Sequence, residues 1–480
     1  MERRDFLKTS LPAGMLPQAA AQTQLPAAQT QRPSGGPPQR PNILWLFGDQ
    51  HRAQALGFNG DPNAVTPHLD TLAREGVVLP NAISGAPLCC PFRGSLVTGL
   101  YAHKCVPGHE YPLPDGQKTV ADVFNDNGYH TGYFGKWHLS GWHERDGRGG
   151  HHITPLSKRG GFKTWIGYEN NNSQYDSWVH GGEGRDAFHY RLPGYETDEL
   201  TNLLLKYLDE RKDKGDPFFA ALSVQPPHDP YVAPPEYMAR YNPAKLEMRG
   251  NVPNVRETTE RARRELAGYY AMIENWDANV GRVVAALRKN GQWENTHVLF
   301  FSDHGDMHGS QGMYRKTNPF EESIRVPFIM CGGQARYEGW KTGRPETMMN
   351  HVDIAPTSLG LAGIKPPAWM QGRDLSHVRI DRPGGAPAGS DPDSAYAGIV
   401  VPTGHGDSIN KAWRGVITKD GWKYCCFDSQ TWLLFNLNED PLEQINLAHN
   451  NRYRAVRKKL AERMRQWAAD TSDKFTVPAD

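Results

Sequence analysis

Apolar residues along this chain fall into short unbroken runs, spaced by longer stretches of helical periodicity. The run "NILWLF" (Asn42 to Phe47) has no polar alternation, as expected of a strand covered on both faces. Thr66-Pro67 then opens a helix through about Glu75, with threonine as N-cap, proline as first residue and Gly76 as the stop. A short helix over Thr119 to Asn127 ends at Gly128 and feeds the strand "YHTGYF". Glu196 to about Lys212 reads as helix, "PFFAALSV" (Pro217 to Val224) as strand, and about Thr258 to Lys289 as a long amphipathic helix. The strands "THVLFFSD" and "VPFIM" and the helix "VDIAPTSLGLAG" follow. Strands alternating with helices predict a mainly parallel sheet flanked by helices. After the Pro/Gly-rich stretch that begins at Asp381 the pattern changes. "WRGVITKDGWKYCCF" and "TWLLFNL" read as antiparallel strands with a turn at Lys419 to Gly421, and about Asn451 to Ala469 as a closing helix. These features predict an α/β core over 41–380, a linking excursion over 381–395, and a small α+β C-terminal subdomain over 396–480.

Composition narrows this picture by exclusion. The 480 residues carry 54 Lys and Arg against 53 Asp and Glu, a formal net charge of +1. Nothing in that balance favours nucleic acid or an anionic membrane surface as a partner. With 49 Gly and 37 Pro the chain is rich in loops, and it shows no repeat of fixed period. Its six cysteines are too few for a disulfide framework and lack the spacing of a structural zinc site. Cys425 and Cys426 sit on an expected strand, whose alternation sends them to opposite faces. The start, "MERRDFLKTS", carries Arg3-Arg4 ahead of Phe6-Leu7 and resembles a twin-arginine export signal over 1–21, with Ala19-Ala20-Ala21 as the cleavage region. A Pro/Gln-rich leader covers 22–40. The expectation is a periplasmic or secreted protein exported by the twin-arginine machinery, with no membrane span.

Open α/β sheets bind ligands at the carboxyl ends of their strands. Asp49, Lys136, His138, His228, Asp303 and His304 all fall just beyond expected strands, so groups distant in sequence converge on one sheet edge. Taken singly each has a plain alternative: a buried thiol for Cys89, a turn for "DHG", solvated surface for Lys136 and Lys316, a loop histidine for His228. Together they form an ordered set. "CCPFRGSLVTG" resembles the type I sulfatase motif, with Cys89, Pro91, Arg93, Thr98 and Gly99 in register. "GKWHL", "PHDPY", "FSDHGDMHG" and "RKTNPFEESIRVPFI" resemble that family's further active-site blocks in its order, and "LFNLNEDPLEQINLA" is similar to its C-terminal block.

The resemblance to formylglycine-dependent sulfatases implies the alkaline-phosphatase-like fold and hydrolysis of a sulfate monoester. It implies that a maturation enzyme oxidises Cys89 to formylglycine. The hydrated aldehyde offers one hydroxyl to attack sulfur and a second whose deprotonation releases the sulfate. It further implies one divalent metal on Asp49, Asp303 and His304, with Gln50 as the fourth candidate. Calcium is the family's default, while an imidazole and only two carboxylates also admit magnesium or manganese. By the same resemblance Arg93 pairs with the diol, Lys136 and Lys316 balance sulfate charge, His138 takes a proton from the second hydroxyl, and His228 contacts sulfate or protonates the leaving oxygen. The Asp49-Gln50 pair departs from the Asp-Asp of many members. It also resembles choline-sulfatases and phosphonate monoester hydrolases, which leaves a small-molecule sulfatase or arylsulfatase and a phosphonate or phosphodiester hydrolase as alternatives. A non-catalytic binding protein on this fold is a third reading, opposed by the competent residue at every charged position.

Trp165 to Tyr195 is rich in aromatic and amide side chains and has little apolar periodicity. It reads as an inserted segment suited to a sulfated carbohydrate, or as a surface insertion without substrate contact.

Overall fold

The computed structural model describes residues 40–479 apart from 335–338, 382–390 and 405. The export signal, nearly all of the leader, and most of the linking excursion lie outside the described residues. The described residues form one compact unit. The strands in chain order are β1 (Asn42–Gly48), β2 (Val77–Val78), β3 (Asn81–Ile83), β4 (His130–Lys136), β5 (Thr164–Tyr168), β6 (Trp178–Gly181), β7 (Phe188–Arg191), β8 (Phe218–Ser223), β9 (Thr296–Ser302), β10 (Phe328–Gly332), β11 (Met348–Asn350), β12 (Ser394–Ile399), β13 (Trp413–Thr418), β14 (Trp422–Phe427) and β15 (Gln430–Asn436). A nine-stranded sheet has the order β2-β10-β9-β1-β8-β4-β5-β6-β7. Its middle, β9 through β5, is parallel, and antiparallel strands close both edges.

Alternation within the apolar runs builds two cores from one sheet. Ile43, Trp45 and Phe47 of β1 join Phe219, Ala221, Leu299 and Phe301 on one face, under the helices Cys89–Thr98, Val120–Asp126 and Ile354–Leu361. Leu44 and Leu46 join Ala220, Leu222, Val298 and Phe300 on the other, under Glu196–Arg211 and Arg256–Lys289. This is the doubly covered parallel sheet that the uninterrupted runs predict. No helix of the described residues is long and apolar enough to cross a membrane.

Two details differ from the sequence reading. Trp165 to Tyr195 is not an insertion throughout. Its start is β5, paired in parallel with β4, and β6 and β7 form an antiparallel hairpin that extends the sheet edge. Short strands with partly exposed aromatics carry too little apolar periodicity to be recognised from sequence. The motif residues from Arg93 onward read in sequence as the start of a helix; that helix begins four residues earlier, at Cys89, with Leu88 as N-cap. Pro91 sits inside its first turn, where a missing N–H costs nothing.

The C-terminal sheet, β12-β13-β14-β15, is antiparallel. One face carries Trp413, Ile417, Cys425 and Phe435 against Ile83, Leu88 and Ile324 of the larger body. The other carries Val416, Tyr424, Cys426 and Leu434 under Leu460, Met464 and Trp467 of the last helix. Cys425 and Cys426 do face opposite ways. All six cysteines are unbridged.

Candidate active site

Strand register brings the acidic groups together. Gly48 of β1 pairs with Ser302 of β9, so Asp49 and Asp303 leave adjacent parallel strands at the same level. Phe47 and Gly135 both pair with Ser223 of β8, which places Lys136 and the loop that carries His228 beside them. Gly135 has φ +104°, and a Cβ there would lie 2.0 Å from the Ser223 carbonyl oxygen, so only glycine lets β4 close on β8 next to Lys136.

Asp49, Cys89, Asp303 and His304 are fully enclosed, and one ligand-type atom from each lies within 4.8 Å of the others. Cys89 Sγ stands 3.3 Å from His304 Nε2 and 3.5 Å from Asp49 Oδ1. His304 Nδ1 lies 3.0 Å from the Gly305 carbonyl oxygen, which accepts its proton and leaves the Nε2 lone pair directed at the cluster. Two backbone N–H groups, of Gln50 and His304, donate to Asp303 Oδ1 at 2.9 and 2.8 Å. Oxygen and imidazole donors in a closed, carboxylate-bearing pocket suit a divalent cation.

Cations surround this cluster. Arg93 Nη2 bridges Asp49 and Asp303 at 3.3 and 3.5 Å, while its Nη1 donates to the Lys136 carbonyl and to Ser223 Oγ. Lys136 Nζ contacts Asp49 Oδ2 at 2.8 Å. Burial alone would raise the Asp49 carboxyl, but Lys136, His228, Lys316 and His304 hold it well below the usual carboxylate range. Burial and the Asp49 charge instead push Asp303 up to about 7. For Cys89, burial and Asp49 favour the thiol, yet Lys316 and Lys136 outweigh them and bring it down to about 7.

Lys316 and His228 form a second group. Lys316 Nζ donates to Gln50 Oε1 at 2.8 Å and lies 2.9 Å from His228 Nε2. His228 Nδ1 lies 2.7 Å from the Asp229 carbonyl oxygen, which fixes its proton there and leaves Nε2 to accept from Lys316. Gln174, from the segment after β5, donates to the His228 and Pro230 carbonyls at 3.0 and 3.2 Å, so that segment braces the loop. His138 is buried in a left-handed conformation (φ 59°), and its Nδ1 has no hydrogen-bond partner among the described residues. Burial, then the Lys136 charge, keep its imidazole neutral well below the ordinary histidine range.

Gln50, expected as a metal donor, is turned elsewhere. Its oxygen accepts from Lys316, and its amide donates to Asp306 Oδ2 at 2.6 Å and Tyr231 at 3.2 Å. Several residues here escaped the sequence reading. Ser223 orients Arg93, Asp306 and Tyr231 hold Gln50, and Arg315 donates to Tyr231. His308 is buried against Tyr269 with ring centroids 4.3 Å apart. Asp306 stood in plain view in "DHGDMHG", but nothing in its spacing distinguishes a brace from a donor.

Comparison with known proteins gives the family. The family profile described as sulfatase matches residues 41–364, and one described as N-sulphoglucosamine sulphohydrolase, C-terminal, matches 309–470. An ulvan-active sulfatase of Formosa agariphila is 33% identical over 91% of this chain and 83% of its own length. An endo-4-O-sulfatase of Bacteroides thetaiotaomicron is 32% identical over 72% of this chain and 76% of its own. A solved structure from a locus for metabolism of multiple glycosaminoglycans in the same bacterium is 26% identical, covers 91% of this chain and 97% of that one, and has a TM-score of 0.78.

Proposed function

The chain belongs to the sulfatase family, and on that premise we propose that it hydrolyses the sulfate ester of a sulfated carbohydrate, with Cys89 converted to formylglycine as the nucleophile. It is a sulfuric ester hydrolase. The observation that carries the reading is Cys89 itself, at the head of a helix, enclosed with Asp49, Asp303 and His304 and faced by Arg93, Lys136 and Lys316. The carbohydrate follows from the relatives, whose names specify ulvan and a sugar-type sulfate position, and from the amide-rich segment that braces the His228 loop.

Asp49, Asp303 and His304, with residue 89, would hold one divalent cation, calcium by the oxygen-rich donor set. When bound, that cation supplies positive charge against the nucleophile and sulfate oxygens and lowers the pKa of a hydroxyl. The hydrated aldehyde at position 89 supplies the attacking hydroxyl and the second hydroxyl that allows sulfate to leave. The chain's own side chains do the rest. Arg93, pinned by Ser223 and the Lys136 carbonyl, keeps both carboxylates oriented. Lys136 and Lys316 offset the sulfate charge. His138, neutral because it is buried, accepts the proton of the second hydroxyl. His228 and Lys316 share one hydrogen bond, so the proton between them is placed for the leaving oxygen. Acid–base groups of this kind contribute about 10²–10⁴-fold in rate.

A second reading, hydrolysis of a phosphonate or phosphate ester, draws on Gln50, which leaves the site with two carboxylates. Turnover of sulfated oligosaccharides against paired phosphonate esters decides between them. Peptide mass spectrometry of protein made with a maturation system should show the aldehyde at Cys89; full activity with an intact thiol would overturn the mechanism. The Arg3-Arg4 signal is proposed to direct export of the folded, matured protein. Retention in the cytoplasm on changing both arginines to lysine tests it.

A further inference from the structure

Beside the nucleophile lies a second cluster that the chemistry above leaves unused except for His138. Cys90 Sγ, a ring nitrogen of His109 and a ring nitrogen of His138 all lie within 4.8 Å of one another. Cys90 Sγ is 3.9 Å from His109 Nδ1, and the two imidazole rings meet edge to face at 5.3 Å between centroids. Glu110 serves two of the three residues. Its backbone N–H donates to Cys90 Sγ at 3.3 Å, and its carboxylate stands 3.7 Å from His109 Nε2, the far side of the ring from the sulfur. That carboxylate is itself fixed by the Glu144 N–H and by His143 Nδ1, at 2.9 and 2.8 Å. Glu110 holds a left-handed conformation (φ 58°), as His138 does (φ 59°), a strained backbone that aims its N–H at the sulfur.

We propose that Cys90, His109 and His138 form a second metal site, for a borderline-soft dication of the zinc type, in which the captured His138 can no longer act as base. One thiolate and two imidazoles match that preference, and the hard oxygen set of Asp49 and Asp303 does not compete for it. A carboxylate behind a ligating histidine and an N–H on the ligating sulfur are the supports such sites use. Zinc bonded to sulfur and nitrogen holds its donors about 3.3–3.6 Å apart, so the cluster needs roughly 1 Å of side-chain closure. A free thiol is protonated at neutral pH, so coordination forms the metal–sulfur bond and releases that proton to solvent. His109 is partly exposed and gives access from the surface.

The binding stands on this geometry alone; its effect on turnover rests on the role given to His138. The test uses a Cys89→Ala variant, which has no thiol in the first cluster, in excess calcium, titrated with cobalt. A thiolate-to-cobalt charge-transfer absorption should grow to one equivalent, be displaced by zinc, and vanish on adding Cys90→Ser. His109→Ala and Glu110→Gln should each weaken cobalt binding about 10-fold or more. If Cys90→Ser lowers the yield of folded protein, the His109→Ala titration alone decides. No such band, or one that survives Cys90→Ser or keeps full affinity in His109→Ala, overturns the site. In the matured enzyme zinc should inhibit, and Cys90→Ser should raise the inhibitory concentration at least 10-fold. Cobalt bound at Cys90 with zinc-insensitive turnover would uphold the site and overturn His138 as the base.

Discussion

Lys316 Nζ donates to the side-chain oxygen of Gln50 at 2.8 Å, and the Gln50 amide donates in turn to Asp306 at 2.6 Å. A glutamine can join a cation to a carboxylate because one end only accepts and the other only donates. The bridge is neutral, so Lys316 keeps its charge for the substrate. Gln50→Glu would neutralise Lys316 and set a carboxylate against Asp306. Under the proposed chemistry kcat should fall about 10²-fold, the scale of losing one electrostatic contact to the reacting group. Calcium affinity should stay unchanged, because the Gln50 oxygen faces Lys316. Tighter calcium binding with retained turnover would place Gln50 on the metal instead.

Asp49 and Asp303 lie side by side, and burial together with the Asp49 charge holds the Asp303 carboxyl up near 7. A bound dication would relieve that repulsion. Chelation should therefore abolish turnover and lower Tm, and calcium should restore both. Saturation at a hundred times Kd corresponds to about 2.7 kcal/mol of stabilisation. Asp303→Asn should remove the calcium-dependent rise in Tm while leaving the calcium-free protein as stable as the parent. A calcium response that persists in Asp303→Asn would show the cation binding elsewhere.

What was legible in the sequence follows from what periodicity and spacing encode. The runs Asn42–Phe47, Pro217–Val224 and Thr296–Asp303 announced the parallel centre of the sheet, because strands buried on both faces leave no polar gaps. Strand ends then placed Asp49, Lys136 and Asp303 on one edge, and β1–β9 register is what makes the two aspartates neighbours. The hairpin β6–β7 stayed hidden, since its two four-residue strands, one mostly buried and one mostly exposed, do not alternate by polarity. Residues that act by holding others were equally silent. Ser223 ends an apolar strand and Tyr231 sits in a loop, and only the fold shows that one orients Arg93 and the other Gln50. Spacing marks which residues can chelate or attack; it does not mark where a neutral amide turns once a lysine arrives beside it.

Lys423 links the C-terminal sheet to the loop behind Lys316. Its ammonium is fully buried, 2.6 Å from Glu321 and 2.7 Å from Glu443, and donates to the Pro319 carbonyl at 2.9 Å. Burial would lower the ammonium pKa, but the two carboxylates raise it. Lys423→Met strands the Glu443 carboxylate in a closed pocket, while Glu321 keeps Arg325 at 2.7 Å, so unfolding free energy should fall by about 3–5 kcal/mol in denaturant titration. Adding Glu443→Gln to Lys423→Met should recover much of that loss. A single variant as stable as the parent would mean that water already reaches the pair.

Acid sensitivity should come in part from His351, which has no role in the proposed reaction. Its ring stacks on Phe92 at 4.8 Å, and the Gly85 N–H donates to its Nδ1 at 2.9 Å. Burial keeps the imidazole neutral and lowers its pKa from the ordinary 6.5 to about 3. Between those values the unfolded chain binds a proton that the folded chain refuses. Stability therefore rises with pH across this window, is complete above about 6.5, and is lost as pH falls toward 3, by up to about 1.4 kcal/mol per pH unit for one such group. His180, also lowered to about 3 by burial, adds in the same direction. His351→Gln should cost stability at neutral pH through lost packing, yet its deficit relative to the parent should shrink by about 1–2 kcal/mol as pH falls from about 7 to about 5. Urea titrations of both proteins at the two pH values read that difference directly, and a deficit that does not change with pH would assign the acid sensitivity to other groups.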